Sequence, residues 1–434
     1  MIYEEQAGDV HVALVGDSLI SRKLSPFREP RYLEMVEIIR GGDVSVTNSE
    51  TLFHRYEGSP VWDSGPGGTY VTCDPAIIDE LKWLGITAVS TANNHAFDYG
   101  EEGILANLRN LDEHSLPHAG TGRTLSEAAA PVYVDTPKGR VAVIGVTLSV
   151  PAAGHRAGDP RGITKGRPGA NVLRHQVTNT VPRPTFDALK DAGRNLALGP
   201  AFRGDGDEIN FLGQKFVAGD GYSKASEANR FDLDLNLKWV ADARRMADWV
   251  IVSMHNHERG RSADEPAEFA RAFAHACIDA GADVIHGHGP HQDRGIEIYN
   301  GRPIFYALGN FIMQNDVVEW EPWDLFVRYG LGPEATPADI YDFRSNNDTR
   351  GQAVEPIRWQ SAVATVDFCG GKLDHITLHP VDLGYETKKR SQRGRPVLAD
   401  GAMAEEILNR FRGLSAPFGT KLEIENGRGV IRPG

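Results

Sequence analysis

Residues 283–312 read DVIHGHGPHQDRGIEIYNGRPIFYALGNFI. A short apolar run, 283–285, is followed at once by His286, His288 and His291, three imidazoles within six residues. Strands end where apolar runs give way to polar loop residues, so all three histidines sit at one edge of a sheet. Gly287 and Gly289 let the backbone approach whatever the histidines surround, and Pro290 stiffens the turn. Further on, 295–299 and 303–308 flank Asn300-Gly301, the pair that supplies the positive φ angles of a type I′ hairpin.

The same arrangement recurs four times upstream. VALV (12–15) precedes Asp17, VSV (44–46) precedes Asn48 and Glu50, AVSTA (88–92) precedes Asn94, His95 and Asp98, and WVIVSM (249–254) precedes His255, His257 and Glu258. Five strand ends delivering Asp, Asn, Glu or His to one sheet edge build a polar, metal-ready cluster, which predicts a metal-dependent enzyme. The strand-like runs 11–15, 44–47 and 88–91 alternate with helical segments at 33–40, 75–84 and 102–112, as in an α/β unit. Asp74-Pro75 reads as an N-cap with proline at N1, and Gly41-Gly42 and Gly85 as C-caps. After a hairpin at 132–134 and 141–146, the core pattern resumes with helix 232–246, strand 249–254 and helix 266–280. A final hairpin (360–368, 372–378) and helix 402–414 close the chain.

With 434 residues, 41% of them apolar, the chain has material for one large domain spanning 1–434. Two segments break its pattern. Residues 150–230 are rich in Gly, Pro, Arg and Asp and read as an inserted subdomain or a lid, because a structureless loop of that length is improbable. Residues 316–359 carry Trp320, Trp323, Phe326, Tyr329, Tyr341, Phe343 and Trp359, either a satellite core or the wall of an apolar pocket. A net charge of −13 without a basic stripe excludes a nucleic-acid partner. No apolar run reaches 18 residues and the start, MIYEEQAGDV, lacks a signal pattern, so a cytoplasmic protein without membrane contact is expected. Cys73, Cys277 and Cys369 are too far apart for a zinc knuckle or disulfide framework, and Cys277 reads as a buried helix residue. Phosphate loops and a GxSxG elbow are absent, so no organic cofactor and no serine nucleophile are expected. Oligomeric state is left open.

The motifs GDS (16–18), TNSET (47–51), ANNHAFDYG (92–100), HNHE (255–258) and above all 287–312 resemble the CapA family of poly-γ-glutamate capsule proteins. The resemblance covers roughly 9–150 and 230–312. It implies a calcineurin-like metallophosphoesterase fold, an αββα two-sheet sandwich, here with two inserted segments. It also implies metal positions at Asp17, Glu50, Asn94, His255 and His288, with His95, Asp98 and His291 beside them. Two departures matter. Phosphoesterases of this fold open with Asp-x-His, whereas Leu19 stands at the third position here, and capsule-type members carry an anchor or export signal.

Carboxylate, amide and imidazole donors together suit a divalent ion such as Ca, Mn or Zn. His95 is placed to be oriented by Asp98, and His291 by Asp293. Strand alternation puts His255 and His257 on the same face, one to bind metal and the other to carry protons. Such a site supports hydrolysis of an amide, with a histidine protonating the leaving group, or epimerisation, with one histidine removing an α-proton and another returning it. The missing Asp-x-His ligand, the surplus histidines and the absence of an export signal favour epimerisation. CapA-like proteins of this kind include lasso-peptide epimerases, which implies a peptide substrate, its bulky C-terminal residue received by 316–359 and its carboxylate by a cation of 150–230. Hydrolysis of a γ-glutamyl bond and a non-catalytic polymer-binding role are the alternatives.

Overall fold

The computed structural model describes residues 8–61, 69–149 and 156–433. Strand Val10–Leu19 shows how the layers arise. Its side chains alternate between faces, so Val10, Val12 and Leu14 enter one core with Val141, Val143, Trp249 and Ile251. Val15 points the other way, into a core with Tyr32, Met35 and Val36 of helix Pro30–Arg40. In the second sheet, Ala142, Ile144, Val250 and Val252 turn outward onto Val240 of helix Arg230–Met246 and onto Phe269 and Phe273 of helix Glu268–Asp279. The order is therefore helix, sheet, sheet, helix, the expected αββα sandwich. All seven residues of Trp249–His255 are buried, which is why that strand reads as an unbroken apolar run.

Among the described residues the first sheet has ten strands and the second six. Val10–Leu19, Val44–Ser49 and Ala88–Ser90 run parallel in the first. Gly139–Thr147, Trp249–His255 and Val284–His288 run parallel in the second. Parallel pairing brings all their carboxyl ends to one edge, and the two sheets present those edges together. One contact pins them, His286 Nε2 lying 2.8 Å from the Val15 carbonyl, while within the first sheet the Asp17 N–H donates to the Gly309 carbonyl at 2.9 Å. A Cβ on Gly16 would sit 1.9 Å from that Gly309 oxygen, so only glycine permits the approach.

The first strand runs beyond its apolar stretch, through Asp17 to Leu19, because Asn310–Met313 adds alongside it. Gly85 caps its helix with φ 101°, as expected, whereas Gly41 follows helix Pro30–Arg40 in the right-handed region at φ −69°. Asn300 and Gly301 take φ 50° and 75°, as the hairpin turn demands. Cys73 and Cys277 are buried free thiols and Cys369 is exposed.

The first insertion, whose residues 150–155 lie outside those described, builds a five-stranded sheet with helix Arg183–Asn195. Val181, Phe186 and Ile209 form its own small core. The second insertion contributes helices Trp323–Arg328 and Pro337–Ser345. Leu325, Phe326 and Ile340 pack on Leu52, Tyr70 and Tyr99, so a satellite core forms against the loops that carry Glu50 and Asp98. Trp320, Trp323 and Phe343 remain exposed. No helix among the described residues is long and apolar enough to cross a membrane.

Candidate metal centre

The five strand ends converge. Asp17 accepts hydrogen bonds from Asn48 Nδ2 at 2.8 Å and from the Gly289 N–H at 2.9 Å. Its Oδ1 lies 3.5 Å from His288 Nδ1 and 3.9 Å from His255 Nδ1. Across the site, Asn94 Oδ1 is 2.7 Å from His255 Nε2 and 3.2 Å from His257 Nε2. Glu50 reaches in between, Oε1 at 3.4 Å from His255 Nε2 and Oε2 at 3.8 Å from His291 Nδ1. Three overlapping groups result, Asp17 with His255 and His288, Glu50 with His255 and His257, and Asp17 with Glu50 and His291.

Glu50 decides whether this set fits a cation. Both its carboxylate oxygens are buried and neither has a hydrogen-bond partner, a costly arrangement for an anionic group. Burial, followed by the charges of Asp17 and Asp98, pushes this carboxyl well above its ordinary range. Burial and neighbouring imidazoles hold His255 and His257 well below the usual histidine value. Burial also raises Asp17, but the hydrogen bond and charge of His288, with His291 and His255 behind it, outweigh that and hold it low. Burial disfavours a charge on His255 and His257, and Asp17 is the ionised carboxylate of the set. Imidazoles, an amide oxygen and two carboxylates, one without partners, form a donor set that a hard or borderline divalent ion satisfies. These donors do not separate Ca, Mn and Zn.

The remaining expected residues fall around this centre. His95 Nδ1 and Asp98 Oδ2 are 2.8 Å apart and buried, the oriented pair that the sequence suggested. His257 and His291, expected as proton carriers, each belong to one of the ligand groups as well. Asp293 requires a correction. It is fully buried and engages Arg410, with Nε at 2.9 Å and Nη2 at 2.5 Å, while His291 Nδ1 pairs with Asn310 Oδ1 at 2.8 Å. Arg410, on helix Gly401–Ser415, holds Asp293 Oδ2, and the group that turns His291 is the Asn310 amide. His286 holds the two sheets together rather than joining a ligand group. Glu258 is partly exposed and lies 3.8 Å from His175.

Sequence reasoning passed over Asn310, Ser253 and the supporting role of Asn48. Ser253 Oγ sits 2.8 Å from His288 Nε2 and 3.2 Å from His286 Nδ1, fixing both rings. The signal for Asn310 was present in the Leu308-Gly309-Asn310 run, whose glycine takes φ 71° beside Asp293. Away from the centre, His54 and His379 are buried and each is pushed down to about 4, by burial first. His155 lies outside the described residues.

A two-sheet sandwich with such a cluster at its strand ends defines the calcineurin-like class. Within it, residues 7–315 match the family described as "Bacterial capsule synthesis protein PGA_cap", and the chain belongs to that family. It is 36% identical to "Uncharacterized protein y4sH" of Sinorhizobium fredii over 96% of this chain and 92% of that protein. The "PGA biosynthesis protein CapA" of Bacillus subtilis is 28% identical over 72% of this chain and 69% of its own length. The "Capsule biosynthesis protein CapA" of Bacillus anthracis is 27% identical over 54% and 42%.

Proposed function

We propose that this protein is a metal-dependent acid/base enzyme acting at a carbonyl-bearing centre of a peptide chain. The observation that carries this reading is the partnerless Glu50 carboxylate, enclosed by imidazoles and close enough to the Asp98 of the His95–Asp98 pair to be raised by its charge. A divalent cation held by Asp17, Glu50, Asn94, His255 and His288 would stabilise negative charge on a substrate carbonyl oxygen. His95, its Nδ1 committed to Asp98, keeps Nε2 for proton transfer. His291, turned by Asn310, offers a second imidazole, and His257 a third. Several imidazoles beside one carbonyl site suit removal and return of an α-proton, so Cα epimerisation of a peptide residue, the C-terminal one of a ribosomal lasso-type precursor, is the finer reading.

A second reading is metal-dependent hydrolysis of a γ-glutamyl or related amide bond. It is favoured by the capsule and PGA biosynthesis names that relatives carry. Incubating candidate peptides with the protein in heavy water separates the two by mass spectrometry. Single-deuterium incorporation without cleavage supports epimerisation, fragments support hydrolysis, and neither product with any divalent ion would overturn both in favour of a polymer-binding role.

A further inference from the structure

A cavity of about 210 Å³ opens between the second insertion and the 390–393 turn. At about 30 Å³ for each water's share of liquid volume, that is room for roughly seven waters, the size of a small amino acid. Its floor is apolar, with Trp359 and Tyr341 buried beneath it. Its rim carries four arginines against two aspartates, in a chain whose overall charge is −13. Local excess positive charge at a concave site in an acidic protein concentrates anions there.

The four arginines are not equivalent. Arg393 is paired with Asp316 at 2.7 Å and lies over the Trp359 ring, and Arg390 is paired with Asp342 and Asp348 at 2.7 and 3.0 Å. These two are structural. Arg344 meets the Thr69 hydroxyl, and among the described residues Arg350 meets only the carbonyls of Arg344 and Phe343, at 3.1 and 2.9 Å. Neither makes an ion pair within 4 Å among the described residues, although both line the cavity. Glu321 feels the charge of Arg344 but makes no ion pair with it, and a planar guanidinium not paired with a carboxylate is suited to take one from a ligand in a two-pronged bond.

We propose that this cavity is a binding site for a carboxylate-bearing ligand of amino-acid size, held by Arg344 and Arg350 with its carbon chain on Trp359 and Tyr341. The carboxylate belongs either to a free small molecule or to an acidic residue of a peptide. The site is separate from the metal centre but shares a wall with it. Trp359 faces the cavity, while the adjacent Arg358 donates to the Pro290 carbonyl at 3.0 Å, next to His291, and accepts from Asn310 on its own carbonyl at 2.9 Å. Nearly all of the cavity lies beyond the 7–315 stretch shared with the family, so it is not a necessary part of that core.

Isothermal titration tests the proposal on the full chain, with and without a chelator, using L-glutamate, glutarate, a short acidic peptide and inorganic phosphate. The expected result is binding of glutamate or glutarate, or of the peptide alone if the ligand is peptide-borne. That binding survives chelation and weakens at least tenfold in Arg344→Gln and in Arg350→Gln. Ala353→Phe, which fills the cavity while keeping all four arginines, should abolish it as well. Persistence of the chelator condition keeps this result independent of the metal-centre reading. Absence of binding by every carboxylate probe, unchanged affinity in the arginine variants and in Ala353→Phe, loss of all binding on chelation, or preference for phosphate over every carboxylate overturns the proposal.

Discussion

The Glu50 carboxylate lies 3.4 Å from His255 Nε2, and neither of its oxygens accepts a hydrogen bond. A buried acid so placed is stabilised by a cation and destabilised without one. Purified protein should therefore carry stoichiometric divalent metal by elemental analysis, and Glu50→Gln or Asp17→Asn should lose most of it. A ligand present at a hundred times its dissociation constant adds about 2.7 kcal/mol to stability. Stripping the metal should lower the thermal midpoint of the wild type by a comparable amount while leaving Glu50→Gln nearly unmoved. Equal midpoints before and after chelation would remove the cation from the account.

His95 and Asp98 form the best-isolated acid/base pair, since neither belongs to the candidate ligand groups. Asp98→Asn keeps the shape of the pair but no longer stabilises a protonated imidazole. General acid/base groups contribute about 10²- to 10⁴-fold in rate. Turnover of whichever peptide is processed should fall by that order in His95→Ala and in Asp98→Asn, with bound metal unchanged. Loss of metal along with activity would make His95 a structural residue instead.

Glu321 supplies a pH dependence away from the ligands. Tyr341 donates to its Oε1 at 2.7 Å, its Oε2 is buried without a partner, and burial pushes it up to about 8 from an ordinary 4.5. A carboxyl raised on folding favours the folded state fully below its unfolded value, and the benefit is lost as pH climbs through the folded one. Wild type should lose stability relative to Glu321→Gln between about pH 4.5 and about pH 8, and the gap should level off above that. At roughly 1.4 kcal/mol per unit, several kcal/mol is the upper limit. Denaturant midpoints of the two proteins across pH measure it, and parallel curves would mean Glu321 titrates normally.

The strand ends were legible because parallel strands covered on both faces are written as unbroken apolar runs, and a polar residue marks where cover stops. Asp17, Glu50, Asn94, His255 and His288 could all be found that way. Contacts between residues far apart in the chain could not. Nothing local in Gly16 announces Gly309, and nothing near Asp293 announces an arginine more than a hundred residues away. The first insertion hid its sheet for a different reason. Strand Ser223–Ala228 reads SKASEA and is mostly exposed, so no buried face imposes an apolar alternation on it.

Asp293 and Arg410 separate a structural role from a catalytic one. The aspartate is fully buried, burial pushes it up to about 6, and Arg410 opposes that shift through charge and two hydrogen bonds. The same guanidinium donates to Gln360 Oε1 at 2.6 Å, so it ties the C-terminal helix both to the loop after the site histidines and to the start of strand Gln360–Cys369. Removing one partner of a buried pair leaves the other uncompensated, at about 3–5 kcal/mol. Arg410→Ala should therefore lower the unfolding free energy by that much, and adding Asp293→Asn should restore part of it, because a neutral amide tolerates burial better than an unpaired acid. Had Asp293 oriented His291, Asp293→Asn alone would shift the pH profile of turnover. With Asn310 in that position instead, the profile should stay in place while the denaturant midpoint falls.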